Sequence, residues 1–179
     1  MNSVERVVLV DKDDVPVGEM EKMEAHRLGV LHRAISVFVF DRKGDMLLQR
    51  RAAVKYHSPG LWTNTCCSHP RPNEDVQDAA SRRLGEEMGL ACELHRRFSF
   101  TYRAEFEGGL IEHELDHVFV GRSDDVPRPH PDEVSDWRYA SVPQVRSEME
   151  LHPERFTPWF RICFERAVSD AVIPPVSSR

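Results

Sequence analysis

Two cysteines and a histidine lie directly ahead of a helix with paired glutamates in the stretch WTNTCCSHPRPNEDVQDAASRRLGEEMGL, residues 62–90. A thiol can carry a proton, and imidazoles and carboxylates can move protons or bind metals. Taken singly, each residue is more often structural, because most cysteines are buried and inert and most charged helices face solvent. Only their combination favours a site that transfers protons beside a bound metal.

A second group of candidate ligands lies on the predicted strand IEHELDHVF. Glu112, Glu114 and Asp116 alternate along it and therefore share one face, with successive side chains roughly 6.5 Å apart. A solvated face is the usual explanation of such a strand. A metal site is the alternative, and it needs donors from other segments.

The helix in the opening stretch is the best marked element of the chain. Asn73 is predicted to cap its start and Gly89 to end it. Apolar residues recur every four positions and predict a buried stripe: Val76, Ala80, Leu84 and Met88. Glu87 projects into this stripe, so it needs a partner, which is either Arg83 one turn earlier or a divalent cation.

Short strands and hairpins must position these residues. RVVLV (6–10) and AISVFVF (34–40) are predicted strands, and the turn DRKGD joins the second one to MLLQRR as a hairpin. FSFTYRAEF and LIEHELDHVFV flank EGG and predict a second hairpin. SDWRYASV predicts a last strand before a helix that begins at Ser141 and Pro143. This mixture of helices, strands and hairpins indicates an α/β (α+β) fold.

Composition limits the class of protein. We expect one domain over residues 1–179, with a disordered tail from about 170–179. A net charge of −6 argues against a nucleic-acid surface, and no apolar run approaches the ~18 residues of a membrane span. The N-terminus does not match a secretory signal, and the four cysteines are not spaced as a disulfide framework, so we expect reduced thiols and a cytoplasmic protein.

The segment that ends in the predicted helix resembles the Nudix box, Gly-x5-Glu-x7-Arg-Glu-U-x-Glu-Glu-x-Gly-U, in which U is aliphatic. Two positions differ. Ser68 stands where the box begins with glycine, and Arg83 stands where Nudix hydrolases keep the first of three metal-binding glutamates. These departures argue against hydrolysis of a pyrophosphate bond.

Further motifs point to one branch of that superfamily. With EKMEAHRLGVLHRA, LLQRRAAVKYHSPGLW, WTNTCCSHP, TYRA, IEHEL and TPWF, the chain resembles the type 1 isopentenyl-diphosphate isomerases over about residues 5–168. The resemblance implies a Nudix-like mixed β-sheet sandwich with helices on both faces. It also implies interconversion of isopentenyl and dimethylallyl diphosphate. A Nudix pyrophosphohydrolase and an inactive metal- or nucleotide-binding module are the alternatives.

The same resemblance assigns catalytic roles. It places the acid/base pair at Cys67 and Glu114 and leaves open which of them donates the proton. Tyr102 would hydrogen-bond near this glutamate, and Trp159 would turn its ring face to a carbocation-like state. The structural alternatives are a buried thiol, a cross-strand aromatic and a core tryptophan.

The resemblance also implies two metals and a phosphate site. One divalent ion, zinc, manganese or magnesium, would be held at His26, His32, His69, Glu112 and Glu114. A magnesium ion bound with the substrate diphosphate would reach Glu87. Lys22, Arg51 and Lys55 would contact the diphosphate. We expect a small-molecule diphosphate substrate and a monomer or weak dimer.

Overall fold

The computed structural model describes residues 4–171, and nine strands of this part of the chain form one sheet. The strands are β1 (Arg6–Val10), β2 (Pro16–Glu21), β3 (His32–Phe40), β4 (Met46–Arg51), β5 (Trp62–Thr63), β6 (Cys66–Ser68), β7 (Leu94–Glu105), β8 (Ile111–Arg122) and β9 (Val134–Ala140). The helices are α1 (Lys22–Leu28), α2 (Val76–Met88), α3 (Val142–Leu151) and α4 (Pro158–Asp170).

Strand β3 is the centre of a mixed sheet. One of its edges pairs in parallel with β8 over its whole length, and β8 in turn pairs antiparallel with β7. The other edge is shared by β1, β6 and β4, all antiparallel. Since β3 has a neighbour on each side and is buried by side chains on both faces, its sequence reads as an almost continuous apolar run.

The prediction that residues 34–51 form a hairpin is wrong except next to the turn. β3 and β4 pair only at Phe40 and Met46, next to the turn. Beyond that point β4 pairs with β9 and β5 instead, because the facing edge of β3 is occupied by β6 and β1. The second predicted hairpin, β7 with β8, is confirmed over eleven residue pairs.

Alternate residues of β3 enter two separate apolar layers. Phe38 packs with Phe160 and Phe164 of α4 on one face. Val37 packs with Leu84 of α2 on the other face. The predicted arrangement, a mixed sheet with helices on both faces, is therefore confirmed.

The start of helix α2 differs from the prediction by two residues. Asp75, not Asn73, is the N-cap, and its carboxylate accepts a hydrogen bond from the backbone N–H of Gln77. Asn73 instead adopts a positive φ of 63° in the preceding turn, a conformation that asparagine tolerates better than most residues. Gly89 ends the helix as predicted, in the left-handed conformation.

Helix α1 was not predicted, and it positions His26. Its seven residues are too few for a clear apolar period. The Glu21 carboxylate caps it by accepting from the N–H groups of Met23 and Glu24, and Gly29 ends it with φ 63°. Strand β2, whose side chains are mostly exposed, was also missed.

The C-terminal part of the described chain follows the prediction. Strand β9 is followed by α3, which Ser141 caps together with the side chain of Gln144 in a capping box. Helix α4 extends to Asp170, and residues 172–179 of the expected disordered tail lie outside the described residues. Within residues 4–171, no helix has both the length and the apolar character needed to cross a membrane.

Gly89→Ala is expected to lower the free energy of unfolding by more than about 2 kcal/mol. The new Cβ would lie 2.7 Å from the backbone oxygen of Arg128, and φ is +62°. The matched control is Gly44→Ala, where φ is +85° and no atom lies within 4 Å of the new Cβ. It should cost only the roughly 1–2 kcal/mol of a left-handed alanine. Urea titration of both variants measures the difference, and equal losses would contradict the proposed clash.

Candidate active site

Strand register brings the predicted catalytic residues to one place. The parallel pairing of β3 with β8 sets His32 beside Glu114. The pairing of β3 with β6 sets Ser36 beside Cys67, and the β7–β8 hairpin sets Tyr102 opposite Glu114. Segments far apart in the chain therefore meet at the middle of the sheet.

A cavity of about 450 Å³ opens over this region, a volume suited to a small-molecule ligand. Nine of the predicted site residues line it: Lys22, Arg51, Lys55, Cys67, His69, Tyr102, Glu112, Glu114 and Trp159. The remaining three, His26, His32 and Glu87, are buried.

The Cys67 thiol is held from two sides. Its S–H donates to Asn64 Oδ1 at 3.0 Å, and the indole N–H of Trp159 donates to its Sγ at 3.0 Å. Burial raises the pKa of this thiol to about 12, and the nearby carboxyl of Asp116 acts in the same direction. Cys67 therefore carries its proton at neutral pH, whereas the neighbouring Cys66 is fully buried in the core.

Trp159 makes contacts that the sequence did not suggest. Its side chain is buried, its N–H edge is directed at Cys67, and the guanidinium carbon of Arg51 lies 5.3 Å from its ring centroid. The ring already takes part in one cation–π contact. The role of its face towards a carbocation-like substrate stays a prediction.

The two glutamates of β8 share a tyrosine hydroxyl. Tyr102 Oη lies 2.6 Å from Glu114 Oε2 and 2.8 Å from Glu112 Oε2, and its single proton can be donated to only one of them at a time. Burial alone would raise the pKa of Glu114, but the imidazoles of His32 and His69 beside it lower that pKa well below the ordinary value. Glu114 is therefore ionised at neutral pH.

Asp116 was left without a role, and it lies near the thiol. It is almost fully buried, and the hydroxyl of Ser36 donates to its Oδ2 at 2.7 Å. Burial, followed by the charge of Glu114, raises its pKa well above the ordinary value. The same Ser36 hydroxyl lies 3.9 Å from Cys67 Sγ, so a polar chain connects the carboxyl to the thiol.

Four of the five predicted metal ligands converge. Donor atoms of His26, His32, His69 and Glu114 all lie within 4.8 Å of one another. The Nδ1 atoms of His26 and His32 face the carbonyl oxygens of Lys22 and Val30 at 2.7 and 2.8 Å. Their Nε2 atoms are buried without a hydrogen-bond partner in the described chain. Histidines that bind metals are typically oriented in this way, so these residues fit a divalent ion.

The fifth predicted ligand, Glu112, belongs to an overlapping group. One of its oxygens lies within 4.8 Å of donor atoms of His26 and His57. His57, which had no predicted role, is 5% exposed, and its Nε2 lies 2.6 Å from Glu112 Oε1. No sequence spacing indicates this contact, because it joins the loop after β4 to strand β8.

Glu87 is paired with protein groups. It is 2% exposed, and it accepts from Arg83 Nη2 at 2.7 Å and from Gln49 Nε2 at 3.0 Å. The ion pair with Arg83 is the structural alternative considered from the sequence. Binding of magnesium through Glu87 stays a prediction.

The three predicted phosphate-binding residues line the cavity and each has a protein partner. Lys22 forms an ion pair with Glu5, and Lys55 forms one with Glu133. Arg51 donates to the carbonyl oxygen of His57 at 3.2 Å. The cavity therefore contains a local cluster of three basic side chains, although the chain as a whole is acidic.

Comparison with known proteins identifies the family. The NUDIX domain family matches residues 30–160. Isopentenyl-diphosphate Delta-isomerase 2 of Aromatoleum aromaticum is 54% identical over 165 residues, which cover 92% of this chain and 87% of that protein. This chain belongs to the isopentenyl-diphosphate isomerase family. The isopentenyl-diphosphate Delta-isomerase of Pectobacterium atrosepticum is 56% identical over 160 residues, or 89% of each chain.

Solved structures support the fold of this isomerase family member. A Deinococcus radiodurans protein superposes with a TM-score of 0.75 and 18% identity, over 94% of this chain and all of that one. A MutT protein of Methanosarcina mazei superposes with a TM-score of 0.63 and 17% identity, over 80% of this chain and 96% of that one. At such low identity these likenesses show the fold alone.

Cys67 is expected to react with iodoacetamide about a thousandfold more slowly at pH 8 than a thiol with the ordinary pKa of 9.0, since 12 − 9 is three pH units. Its rate should rise tenfold per pH unit up to pH 10 and beyond. Mass spectrometry of the alkylated peptides measures the rate, with Cys67→Ala as the control for reaction at Cys66 and Cys92. A plateau below pH 10 would show a resident thiolate and contradict the assignment.

Proposed function

We propose that this protein interconverts isopentenyl and dimethylallyl diphosphate. The observation that carries the proposal is the juxtaposition of a protonated Cys67 thiol and an ionised Glu114 carboxylate at one cavity, beside a metal-donor group. Membership of the isopentenyl-diphosphate isomerase family supports the same reaction.

The reaction moves a double bond by one position. One proton is added to the terminal alkene carbon and another is removed from the carbon two bonds away, through a tertiary carbocation-like state. The alkene is a very weak base, so the donor must be sheltered from water and a base must be held ready. Cys67 and Glu114 supply one group of each kind, and they exchange roles when the reaction runs backwards.

Neighbouring side chains keep these groups in position. Asn64 and Trp159 fix the Cys67 sulfur through its S–H and its lone pair. The Tyr102 hydroxyl orients one oxygen of Glu114, and His69 contacts the other at 2.8 Å. Proton transfer needs such fixed geometry, because small displacements of the reacting atoms slow it strongly.

A divalent ion is proposed at His26, His32, His69, Glu112 and Glu114. Three imidazoles and two carboxylates suit zinc or manganese better than magnesium. When bound, the ion supplies positive charge that tunes the carboxyl chemistry of the site.

The diphosphate is proposed to bind at Lys22, Arg51 and Lys55, with a second ion, magnesium, between it and Glu87. All three cationic side chains line the cavity, and the carboxylates that now pair with the two lysines hold them there. Phosphate oxygens would compete for these same donors. We further propose that the protein is a cytoplasmic monomer or weak dimer. Its four free cysteines support the reducing compartment.

In deuterated water, the metal-loaded protein is expected to convert isopentenyl diphosphate to dimethylallyl diphosphate that carries deuterium in a methyl group. No phosphate or pyrophosphate should be released. Proton NMR of the product and a phosphate assay in parallel make the measurement. Release of phosphate without a shift of the double bond would favour a hydrolase.

Cys67→Ala and Glu114→Gln should each lower turnover by at least a factor of about a hundred, the lower end of general acid–base contributions. Cys92→Ala is the matched control, because Cys92 is also a half-buried thiol but does not line the cavity. Retention of full turnover in Cys67→Ala would exclude the proposed acid/base pair. A wild type that binds metal but has no turnover would instead favour a binding module.

Glu87→Gln is expected to raise the KM for isopentenyl diphosphate and the magnesium concentration needed for half-maximal rate by about tenfold, as befits loss of one charged contact. The metal content of the histidine site should not change. Glu86→Gln is the control, because Glu86 also binds Arg83 but is exposed. Equal effects of both substitutions would point to disturbance of Arg83, and the magnesium role of Glu87 would be withdrawn.

A further inference from the structure

His57, in the loop between β4 and β5, is a buried imidazole whose ring orientation is fixed by its surroundings. The ring stacks on Phe106 with centroids 4.7 Å apart. Tyr56 packs edge-on at 4.5 Å, and Trp159 packs edge-on at 5.8 Å. Aromatic contacts on several sides prevent the ring from changing rotamer, so the fold fixes the direction in which its nitrogens point.

One nitrogen of this ring has a hydrogen-bond partner in the next residue, and the other nitrogen has none in the described chain. Nδ1 lies 3.3 Å from the hydroxyl of Ser58. Nε2 is fully buried and has no hydrogen-bond partner of acceptable geometry in the described chain, although it lies 2.6 Å from Glu112 Oε1. Two such atoms this close repel each other unless a proton or a metal ion lies between them, and the contact lacks the geometry of a hydrogen bond through a proton on Nε2.

The position of that charge follows from His26. His26 belongs both to the group with His32, His69 and Glu114 and to the group with His57 and Glu112. Its Nδ1 faces the carbonyl oxygen of Lys22, so only Nε2 is available to a metal. One nitrogen lone pair binds one ion, and the two groups therefore describe ligands of a single ion.

We propose that His57 is a further ligand of the divalent ion, which is then held by four imidazoles and two carboxylates. This rests on the metal site of the proposed function and adds a ligand to it. Metal–ligand bonds of about 2.0–2.2 Å place opposite donors roughly 4.2 Å apart, so the donors within each group, which lie within 4.8 Å of one another, need only small shifts.

The additional imidazole has consequences for the choice of metal. Six protein donors would leave little room for bound water, and four nitrogens among them would favour a transition metal over magnesium, which prefers oxygen ligands and retained water. His57 also connects the ion to the loop that carries Lys55 and Tyr56, which line the same cavity. Metal binding therefore stabilises the loop expected to contact the diphosphate.

Counting zinc-bound imidazoles tests the proposal directly. Protein with ¹⁵N-labelled histidine is titrated with zinc, and the ring nitrogens that acquire the chemical shift of metal-bound imidazole are counted by NMR. We expect four in the wild type and three in His57→Gln. His95→Gln changes a histidine away from the cavity. This variant should lose the signal of one imidazole that does not bind zinc and should keep all four zinc-bound signals. Three bound imidazoles in the wild type, with the His57 signal unmoved by zinc, would overturn the proposal without any need for the variant.

Metal affinity gives a second readout that does not depend on catalysis. Competition with a chromogenic chelator should show zinc binding weakened at least about tenfold in His57→Gln and unchanged in His95→Gln. Unchanged affinity in His57→Gln would count against a ligand. The isomerase assay is run separately, so that an active enzyme with three bound imidazoles refutes only this inference. An inactive protein with four refutes only the proposed function.

Discussion

The parallel register of β3 and β8 is the constraint on which the site depends. It sets His32 beside Glu114, and the strands that flank this pair add Cys67 and Tyr102 from either side. A slip of one residue would turn the whole polar set of β8 to the opposite face of the sheet. The register is held by alternate apolar side chains that enter two different layers, one under α2 and one under α4. The relative positions of the candidate site residues are thus fixed by core packing as well as by contacts among the polar groups.

Placing so many ionisable groups in the interior is costly, and the structure offsets the cost with hydrogen bonds and opposite charges. Glu114 receives hydrogen bonds from a tyrosine and an imidazole, and its pKa falls despite burial. Asp116, which has only the Ser36 hydroxyl, moves in the opposite direction. The two carboxyls lie on one strand face, so the contrast arises from their partners and not from their depth. A bound cation would complete the compensation for the histidine nitrogens that have no hydrogen-bond partner among residues 4–171.

What the sequence could predict was local, and what it missed was mostly pairing between distant segments. The apolar stripe of α2 and the β7–β8 hairpin follow from periodicity and turn residues. The candidate site residues were named from the family resemblance, and the structure brings nine of them to one cavity. The partner of β4 does not, because any β-rich run can pair with any other until the whole sheet is known. Asp75 and Asn73 are both good cap residues, and only the turn geometry distinguishes them. His57 was missed because its contact with Glu112 joins a loop to a distant strand.

The arginine in the Nudix helix explains how this scaffold can serve a reaction other than hydrolysis. Arg83 donates to Glu86, Glu87 and Glu133 at 2.7, 2.7 and 3.2 Å. It thereby neutralises the carboxylates that, with a glutamate at its own position, would gather metal ions able to activate water. The metal-donor group instead lies on α1, β3 and β8 and at the residue after β6, against the sheet and near Cys67. The buried donors against the sheet are sheltered from water, which is the condition that proton transfer to an alkene requires.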